Sequence, residues 1–124
     1  MIILVEDDGD QRLALKVALE LAGYTVREAS NGRVAMALLN ERPPLFLITD
    51  IFMPETDGFE LIGTVRERSP QTRIIVVSGG GRHATLDYLA AAELIGVDAT
   101  LQKPFPIPSL LETLAALTNG ARGR

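Results

Sequence analysis

Three carboxylates follow short apolar runs of the sequence, at points where a β-strand would end. Glu6 and Asp7 come directly after the run Ile2–Val5, and Asp50 follows residues 45–49. If these two runs form neighbouring strands, their acids meet at one edge of the sheet and make an anionic pocket. Oxygen ligands suit Mg²⁺, which proteins usually hold with one or two carboxylates, several waters and a phosphate oxygen. The positions of these acids therefore predict a magnesium site.

Two further polar residues stand at the ends of apolar runs. Ser78 follows residues 74–77, and Lys103 lies two residues beyond 99–101, immediately before Pro104. A lysine ammonium can neutralise a carboxylate or a transferring phosphoryl oxygen, and a serine hydroxyl can donate to another phosphoryl oxygen. Together with the acids, these residues favour phosphoryl transfer to an aspartate, a reaction that depends mainly on positioning and electrostatics.

Each of these residues also has a purely structural explanation. Glu6 and Asp7 could form a solvated helix N-terminus, where acids interact favourably with the helix dipole. Asp50 could begin a turn, Ser78 could belong to a glycine-rich loop, and Lys103 could be a surface lysine. All of these features fall on one edge of one predicted sheet, and this coincidence favours a shared site.

Composition limits the classes of function. The chain has 124 residues and a mass of 13.4 kDa, which is the size of a single domain. It has no cysteine, which excludes thiolate metal sites and disulfides, and its net charge of −4 argues against nucleic acid as a partner. No run of apolar residues is long enough for a membrane span and no secretory signal is recognisable, so we expect a cytoplasmic protein.

Short apolar runs rich in β-type residues alternate with longer stretches of helical periodicity. These runs lie at residues 2–5, 25–29, 45–49, 73–77 and 99–101. The alternation predicts an α/β fold with a five-stranded parallel sheet covered by helices on both faces. The common order for such a doubly wound sheet is 2-1-3-4-5, which places strands 1 and 3 side by side at the edge where ligands bind. The acids described above would then converge.

The first predicted helix is capped by Asp8 or Asp10 and ends at Gly23. Its predicted buried face is an apolar stripe with a spacing of one turn: Leu13, Val17 and Leu21. Further helices are predicted from Gly32 to before Pro43, from Gly58 to before Pro70, over about 85–94, and from Pro108 to the pair Asn119-Gly120.

Four segments resemble, in order and spacing, the receiver domain of two-component response regulators. They are Ile3-Leu4-Val5-Glu6-Asp7-Asp8, Thr49-Asp50-Ile51-Phe52-Met53-Pro54-Glu55-Thr56-Asp57-Gly58, Val77-Ser78-Gly79 and Lys103-Pro104-Phe105. The resemblance covers essentially the whole chain. It implies a flavodoxin-like receiver fold over residues 1–119, followed by a short tail over residues 120–124.

The resemblance also implies roles for individual residues. Asp50 would accept a phosphoryl group from a histidine kinase or a histidine phosphotransfer protein. Mg²⁺ would be held by Asp7, Asp50 and the backbone carbonyl of Phe52, with Glu6 acting mostly through water. Ser78 and Lys103 would contact the phosphoryl group, and the peptide bond between Lys103 and Pro104 would be cis.

By the same resemblance the chain would be a switch and not an enzyme with a separate substrate, because it would catalyse only its own phosphorylation and dephosphorylation. It would present a face to a downstream protein partner and would contact neither nucleic acid nor membrane directly. Two features depart from the family pattern: Thr100 stands where an aromatic switch residue is usual, and the segment after Ser78 is longer and begins with Gly79-Gly80-Gly81.

Three alternatives remain open from the sequence. The chain could be the receiver portion of a hybrid histidine kinase or of a longer regulator, or a degenerate receiver that acts only as a binding module. An enzyme of the haloacid-dehalogenase type also forms an aspartyl phosphate with Mg²⁺, but it needs a second aspartate where this chain has Phe52.

Overall fold

In a computed structural model of the chain, strands and helices alternate from the N-terminus onward. The structure describes residues 1–51, 58–79, 90 and 95–118. The strands are β1 (Ile2–Val5), β2 (Val26–Ala29), β3 (Phe46–Asp50), β4 (Arg73–Ser78) and β5 (Ala99–Gln102). The helices with bounds in this part are α1 (Gly9–Leu21), α2 (Gly32–Glu41), α3 (Gly58–Arg68) and α4 (Ile107–Thr118). The predicted tail lies outside the described residues, as does nearly all of the helix predicted over about 85–94.

The strands form one parallel sheet in the order β2-β1-β3-β4-β5, which confirms the predicted topology. In the register of the central pair, Val5 lies beside Thr49, so the residues that follow them, Glu6 and Asp50, reach the same edge. Asp50 pairs in turn with Val77 of β4. The sheet therefore brings the ends of β1, β3 and β4 together.

Two buried apolar clusters, one on each face, hold the sheet between its helices. Alternate residues of β1 divide between them: Ile3 and Val5 join the cluster with α2 and α3, whereas Ile2 and Leu4 join the cluster with α1 and α4. Strands buried on both faces are typical of parallel sheets, which explains their almost continuous apolar sequences. The doubly wound α/β architecture predicted from the sequence is confirmed.

Both ends of α1 agree with the sequence. The Asp8 carboxylate accepts hydrogen bonds from the backbone N–H groups of Asp10 and Gln11, each at 3.0 Å, and so caps the helix. Gly23 has a φ of 100°, and the N–H of Tyr24 reaches back to the carbonyl of Leu19 at 3.1 Å. This C-terminal motif requires a left-handed residue, which glycine supplies without steric cost.

The predicted buried face of α1 is wrong. Leu13, Val17 and Leu21 are 57%, 46% and 85% exposed, and the leucines of this helix that reach the core are Leu15 and Leu19. Both sets have a spacing of four residues, so periodicity alone cannot choose between them. Leu15 and Leu19 pack into the apolar cluster, and Arg12 and Lys16 on the same side of the helix contact Glu28 of β2, which agrees with this orientation.

Within the part of the chain that the structure describes, no helix has the length and apolar character needed to cross a membrane.

Alanine substitutions on α1 test this assignment of its faces. Leu19 is fully buried, so Leu19→Ala is expected to lower the free energy of unfolding by about 2–5 kcal/mol through lost burial and the cavity left behind. Leu13→Ala, a matched change on the exposed face, is expected to change it by less than about 0.5 kcal/mol. Urea unfolding of both variants measures the difference, and equal losses would contradict the observed orientation.

Candidate functional site

The carboxyl ends of β1 and β3 bring the predicted acids together. Glu6 and Asp50 are only 2% and 5% exposed, whereas Asp7 is exposed to solvent. One carboxylate oxygen from each of the three residues lies within 4.8 Å of the other two. The convergence predicted from the sequence is therefore present, with two buried acids and one acid that faces solvent.

Lys103 directly follows the edge strand β5, and its side chain reaches the acids at the ends of β1 and β3. Its backbone N–H donates to the carbonyl of Ser78 at 2.8 Å, which extends the pairing of β4 with β5. Its ammonium donates to Glu6 Oε1 and, at 2.9 Å, to Asp50 Oδ2. The aliphatic part of the side chain packs over Gly79, where an added Cβ would lie 3.3 Å from Lys103 Cδ. The peptide bond to Pro104 is cis, as expected.

Burial and ion pairing compete in setting the pKa values of this cluster. Burial raises the pKa of the Glu6 carboxyl above its usual value, although Lys103 and the N–H of Asp8 act in the opposite direction. Burial alone would lower the pKa of Lys103, but its hydrogen bonds to Glu6 and Asp50 outweigh this and raise it. An ion pair by itself would lower the pKa of the acid, so desolvation dominates for Glu6. Lys103 therefore remains a cation at neutral pH.

Ser78 ends β4 at the same edge of the sheet and is completely buried. Its hydroxyl oxygen has no hydrogen-bond partner among the residues that the structure describes. A buried hydroxyl without a partner is costly, and such groups in native structures call for an explanation. A ligand oxygen that enters the pocket would supply the missing partner.

The loop from Glu6 to Asp8 contains a contact that the sequence analysis did not predict. The guanidinium of Arg12 donates from Nη1 to the backbone carbonyl of Glu6 at 2.8 Å, and the N–H of Asp8 donates to Glu6 Oε2 at 3.2 Å. The available signal was the position of Arg12, four residues after the helix cap Asp8 and thus one turn along the same face.

The remaining predicted residues are placed as follows. Phe52, whose carbonyl is the expected metal ligand, and Gly80-Gly81 lie outside the described residues. Thr100, at the expected switch position, is a half-buried residue of β5 that pairs in register with Val76.

The cluster is an anionic pocket made of oxygen ligands. Among the described residues, the ammonium of Lys103 contacts two of the three carboxylates, so this part of the cluster carries an excess of negative charge when its acids are ionised. Carboxylate oxygens are the donors that a small hard cation prefers, and the described part of the cluster offers no sulfur or imidazole ligand. These residues and the unpartnered hydroxyl of Ser78 fit a divalent cation together with an oxyanion.

Comparisons of the sequence with known proteins find similarity to response regulators. The family model described as response regulator receiver domain matches residues 2–115. The response regulator receiver protein CpdR of Brucella abortus is 46% identical over 78 residues, which cover 63% of this chain and 65% of CpdR. The DNA-binding transcriptional regulator NtrC of Salmonella typhimurium is 35% identical over 84% of this chain but only 22% of its own length. The chain thus spans less than two thirds of the length of either relative.

Solved structures show the same fold. The chemotaxis response regulator CheY4 of Vibrio cholerae is 29% identical, with a TM-score of 0.82 over 94% of this chain and 96% of that one. The receiver domain of NtrX from Brucella abortus is 24% identical, with a TM-score of 0.88 over 97% and 99%, a likeness of fold alone. Because the family model matches nearly the whole length of the chain, the chain belongs to the response regulator receiver domain family.

Proposed function

We propose that this receiver is a switch controlled by phosphorylation, in which Asp50 accepts a phosphoryl group from a histidine kinase or a histidine phosphotransfer protein. The observation that carries the proposal is the contact of Lys103 with Asp50 at 2.9 Å, at the edge where Glu6 and Asp7 also place their carboxylates. An acceptor carboxylate, a fixed cation and further acids for a metal are the groups that phosphoryl transfer to aspartate requires.

Asp50 is the acceptor in this proposal because it combines burial with contact to Lys103. One of its carboxylate oxygens forms a bond to phosphorus while the bond between phosphorus and the imidazole nitrogen of the donor breaks. The donor imidazole keeps the electron pair of that bond. Lys103 and the hydroxyl of Ser78 then face the phosphoryl oxygens, and their positive charge and unused donor stabilise the negative charge that develops there.

The same pocket is proposed to hold Mg²⁺. Asp7 and Asp50 are the proposed carboxylate ligands, Glu6 acts mainly through water, and the carbonyl of Phe52 is a further ligand expected from the resemblance. When bound, the ion would supply positive charge that offsets the negative charge developing on the phosphoryl group. Asp7 is the exposed member of the set, so it is the ligand with the most direct access to ions in solvent.

The chain would turn over no separate substrate, since the acceptor is one of its own residues. A downstream protein would read the phosphorylated state on the face that contains β5, α4 and the helix predicted over about 85–94. We expect no direct contact with nucleic acid, and the proposed location is the cytoplasm.

A second context is a receiver unit within a larger protein. The sensor kinase CckA of Brucella abortus is 34% identical over 91% of this chain, which corresponds to only 12% of its own length. A hybrid kinase or a longer regulator would use the same chemistry at Asp50. A receiver that acts only as a binding module is less consistent with the site, because Glu6, Asp7, Asp50 and Lys103 all retain their acidic or basic groups.

Replacement of the acceptor gives a direct test. The wild-type protein is incubated with acetyl phosphate and Mg²⁺ and is expected to gain one phosphoryl group by intact-mass measurement. Asp50→Asn is expected to gain none, because its amide is a poor nucleophile, and chelation of Mg²⁺ by EDTA should abolish the wild-type adduct. Asp10→Asn, a control at an exposed acid in the first turn of α1, should keep the adduct. An adduct on Asp50→Asn would exclude this residue as the acceptor.

Lys103→Gln should separate phosphoryl transfer from metal binding. Loss of the ammonium removes the cation that stabilises the transferring phosphoryl group, so the rate of modification by acetyl phosphate is expected to fall by about 100-fold or more. Mg²⁺ binding should persist or strengthen, because the acids lose a competing positive charge. Arg27→Gln, which removes a surface cation paired with Glu41, is the control. An unchanged rate in Lys103→Gln would contradict the proposed role.

Mg²⁺ should also stabilise the fold, which can be measured without any phosphodonor. An ion that binds only the folded protein and is present at ten times its dissociation constant adds about 1.4 kcal/mol to the free energy of unfolding. Urea unfolding with MgCl₂ is compared with unfolding in NaCl at equal ionic strength, which controls for screening. Asp7→Asn should lose most of the gain, and an equal gain in both proteins would place the ion elsewhere.

A further inference from the structure

Arg12 is the residue of α1 whose side chain reaches back to the acidic loop. Its Nη1 donates to the backbone carbonyl of Glu6 at 2.8 Å, while its Nε contacts Glu28 Oε1 on β2 at 3.3 Å. Its own backbone N–H donates to the carbonyl of Asp8 at 2.9 Å in the first turn of the helix. One guanidinium therefore connects the end of β1, the start of α1 and the neighbouring strand.

The bonded carbonyl matters because it belongs to the peptide plane that leads to Asp7. A trans peptide unit is planar, so the orientation of the Glu6 carbonyl also sets the direction in which the Cα of Asp7 lies. The N–H of Glu6 is bonded to the carbonyl of Ala29 at 3.0 Å, and its carboxylate is bonded to Lys103 and to the N–H of Asp8. With Arg12 on the carbonyl, every polar group of Glu6 is held.

Arginine suits this position better than lysine for a geometric reason. The guanidinium is a planar fork whose separate N–H groups can point at two acceptors at once, whereas an ammonium is a compact point charge on a flexible chain. Here one arm faces a carbonyl and another faces a carboxylate. The ion pair with Glu28 restricts the guanidinium and so directs its other arm towards Glu6.

We propose that Arg12 is a positioning residue for the metal site: it orients the peptide plane between Glu6 and Asp7 and thereby aims the Asp7 carboxylate at the bound cation. The inference rests on the proposed function, because it assumes that Asp7 is a ligand of Mg²⁺. Arg12 itself touches neither the ion nor the phosphoryl group. Its effect is exerted through the backbone of the loop.

Removal of Arg12 is expected to change the Mg²⁺ affinity in opposite directions for a positioning role and for a purely electrostatic effect. Arg12 is a cation close to a site for a dication, so charge alone predicts that its removal strengthens Mg²⁺ binding. Positioning predicts that removal weakens binding, because the loop carrying Asp7 gains freedom that the ion must then restrict. Lys16 provides a matched control, since it carries the same charge and contacts the same Glu28, at 3.3 Å, one turn further along α1.

The experiment is an amide NMR titration with MgCl₂ at constant ionic strength, using wild type, Arg12→Gln, Arg12→Lys, Lys16→Gln and Asp7→Asn. We expect the dissociation constant for Mg²⁺ to rise roughly fivefold in Arg12→Gln, the scale of one lost hydrogen bond. It should stay within about twofold of wild type or fall in Lys16→Gln. Arg12→Lys keeps the charge but not the fork, so it should also bind Mg²⁺ more weakly than wild type.

Two further measurements distinguish a positioning role of Arg12 from a general loss of stability. Urea unfolding without Mg²⁺ should give similar midpoints for Arg12→Gln and Lys16→Gln, and modification by acetyl phosphate at saturating Mg²⁺ should recover most of the wild-type rate in Arg12→Gln. If Arg12→Gln and Lys16→Gln bind Mg²⁺ equally well, or if Arg12→Lys binds it as tightly as wild type, the positioning role of Arg12 is overturned while the proposed metal site stands. A wild-type titration identical to that of Asp7→Asn would overturn the proposed metal site, and this inference with it.

Discussion

The site depends on one electrostatic constraint, the placement of the Lys103 ammonium between two buried carboxylates. Glu6 and Asp50 would repel each other at the end of adjacent strands if no cation lay between them. Burial makes this more acute because it removes the water that would screen their charges. Lys103 neutralises part of this negative charge. The carboxylates in turn stabilise its protonated form and so raise its pKa. The negative charge that remains is what a divalent ion would offset.

The sheet is what makes that constraint possible. In a parallel sheet all strands end at one edge, and the order β2-β1-β3-β4-β5 makes β1 and β3 neighbours although α1, β2 and α2 separate them in sequence. Apolar clusters on both faces hold these strands in register, so the positions of the polar end residues follow from the packing of the strands. Lys103 directly follows β5, which lies two strands away from β3, and its long side chain passes over Gly79 to reach the acids.

The fold and most of the site could be predicted because their signals are local. Each buried strand is a continuous apolar run, and each polar residue of the pocket directly follows such a run or lies close beyond it. The buried face of α1 could not be predicted, since two leucine-containing stripes have the same spacing. The face that packs depends on the neighbouring strands and helices, and in the structure Leu15 and Leu19 join the apolar cluster while Arg12 and Lys16 contact Glu28 of β2. The contact of Arg12 with the carbonyl of Glu6 joins residues six apart, and its signal in the sequence is only that Arg12 stands one turn after the cap Asp8.

The three acids of the pocket, Glu6, Asp7 and Asp50, differ in their exposure to solvent and in their contacts. Glu6 is buried and bonded through its backbone and its side chain, so it behaves as a fixed part of the scaffold. Asp50 is nearly as buried, and it shares the ammonium of Lys103 with Glu6. Asp7 is the exposed one of these three acids, and in the proposal above the peptide unit that precedes it sets its direction. If Asp50 is the acceptor and Asp7 a metal ligand, as proposed, this arrangement would keep the acceptor rigid and leave the exposed ligand free to exchange ions. The stiffness of the loop around Glu6 would then set how tightly an ion is held.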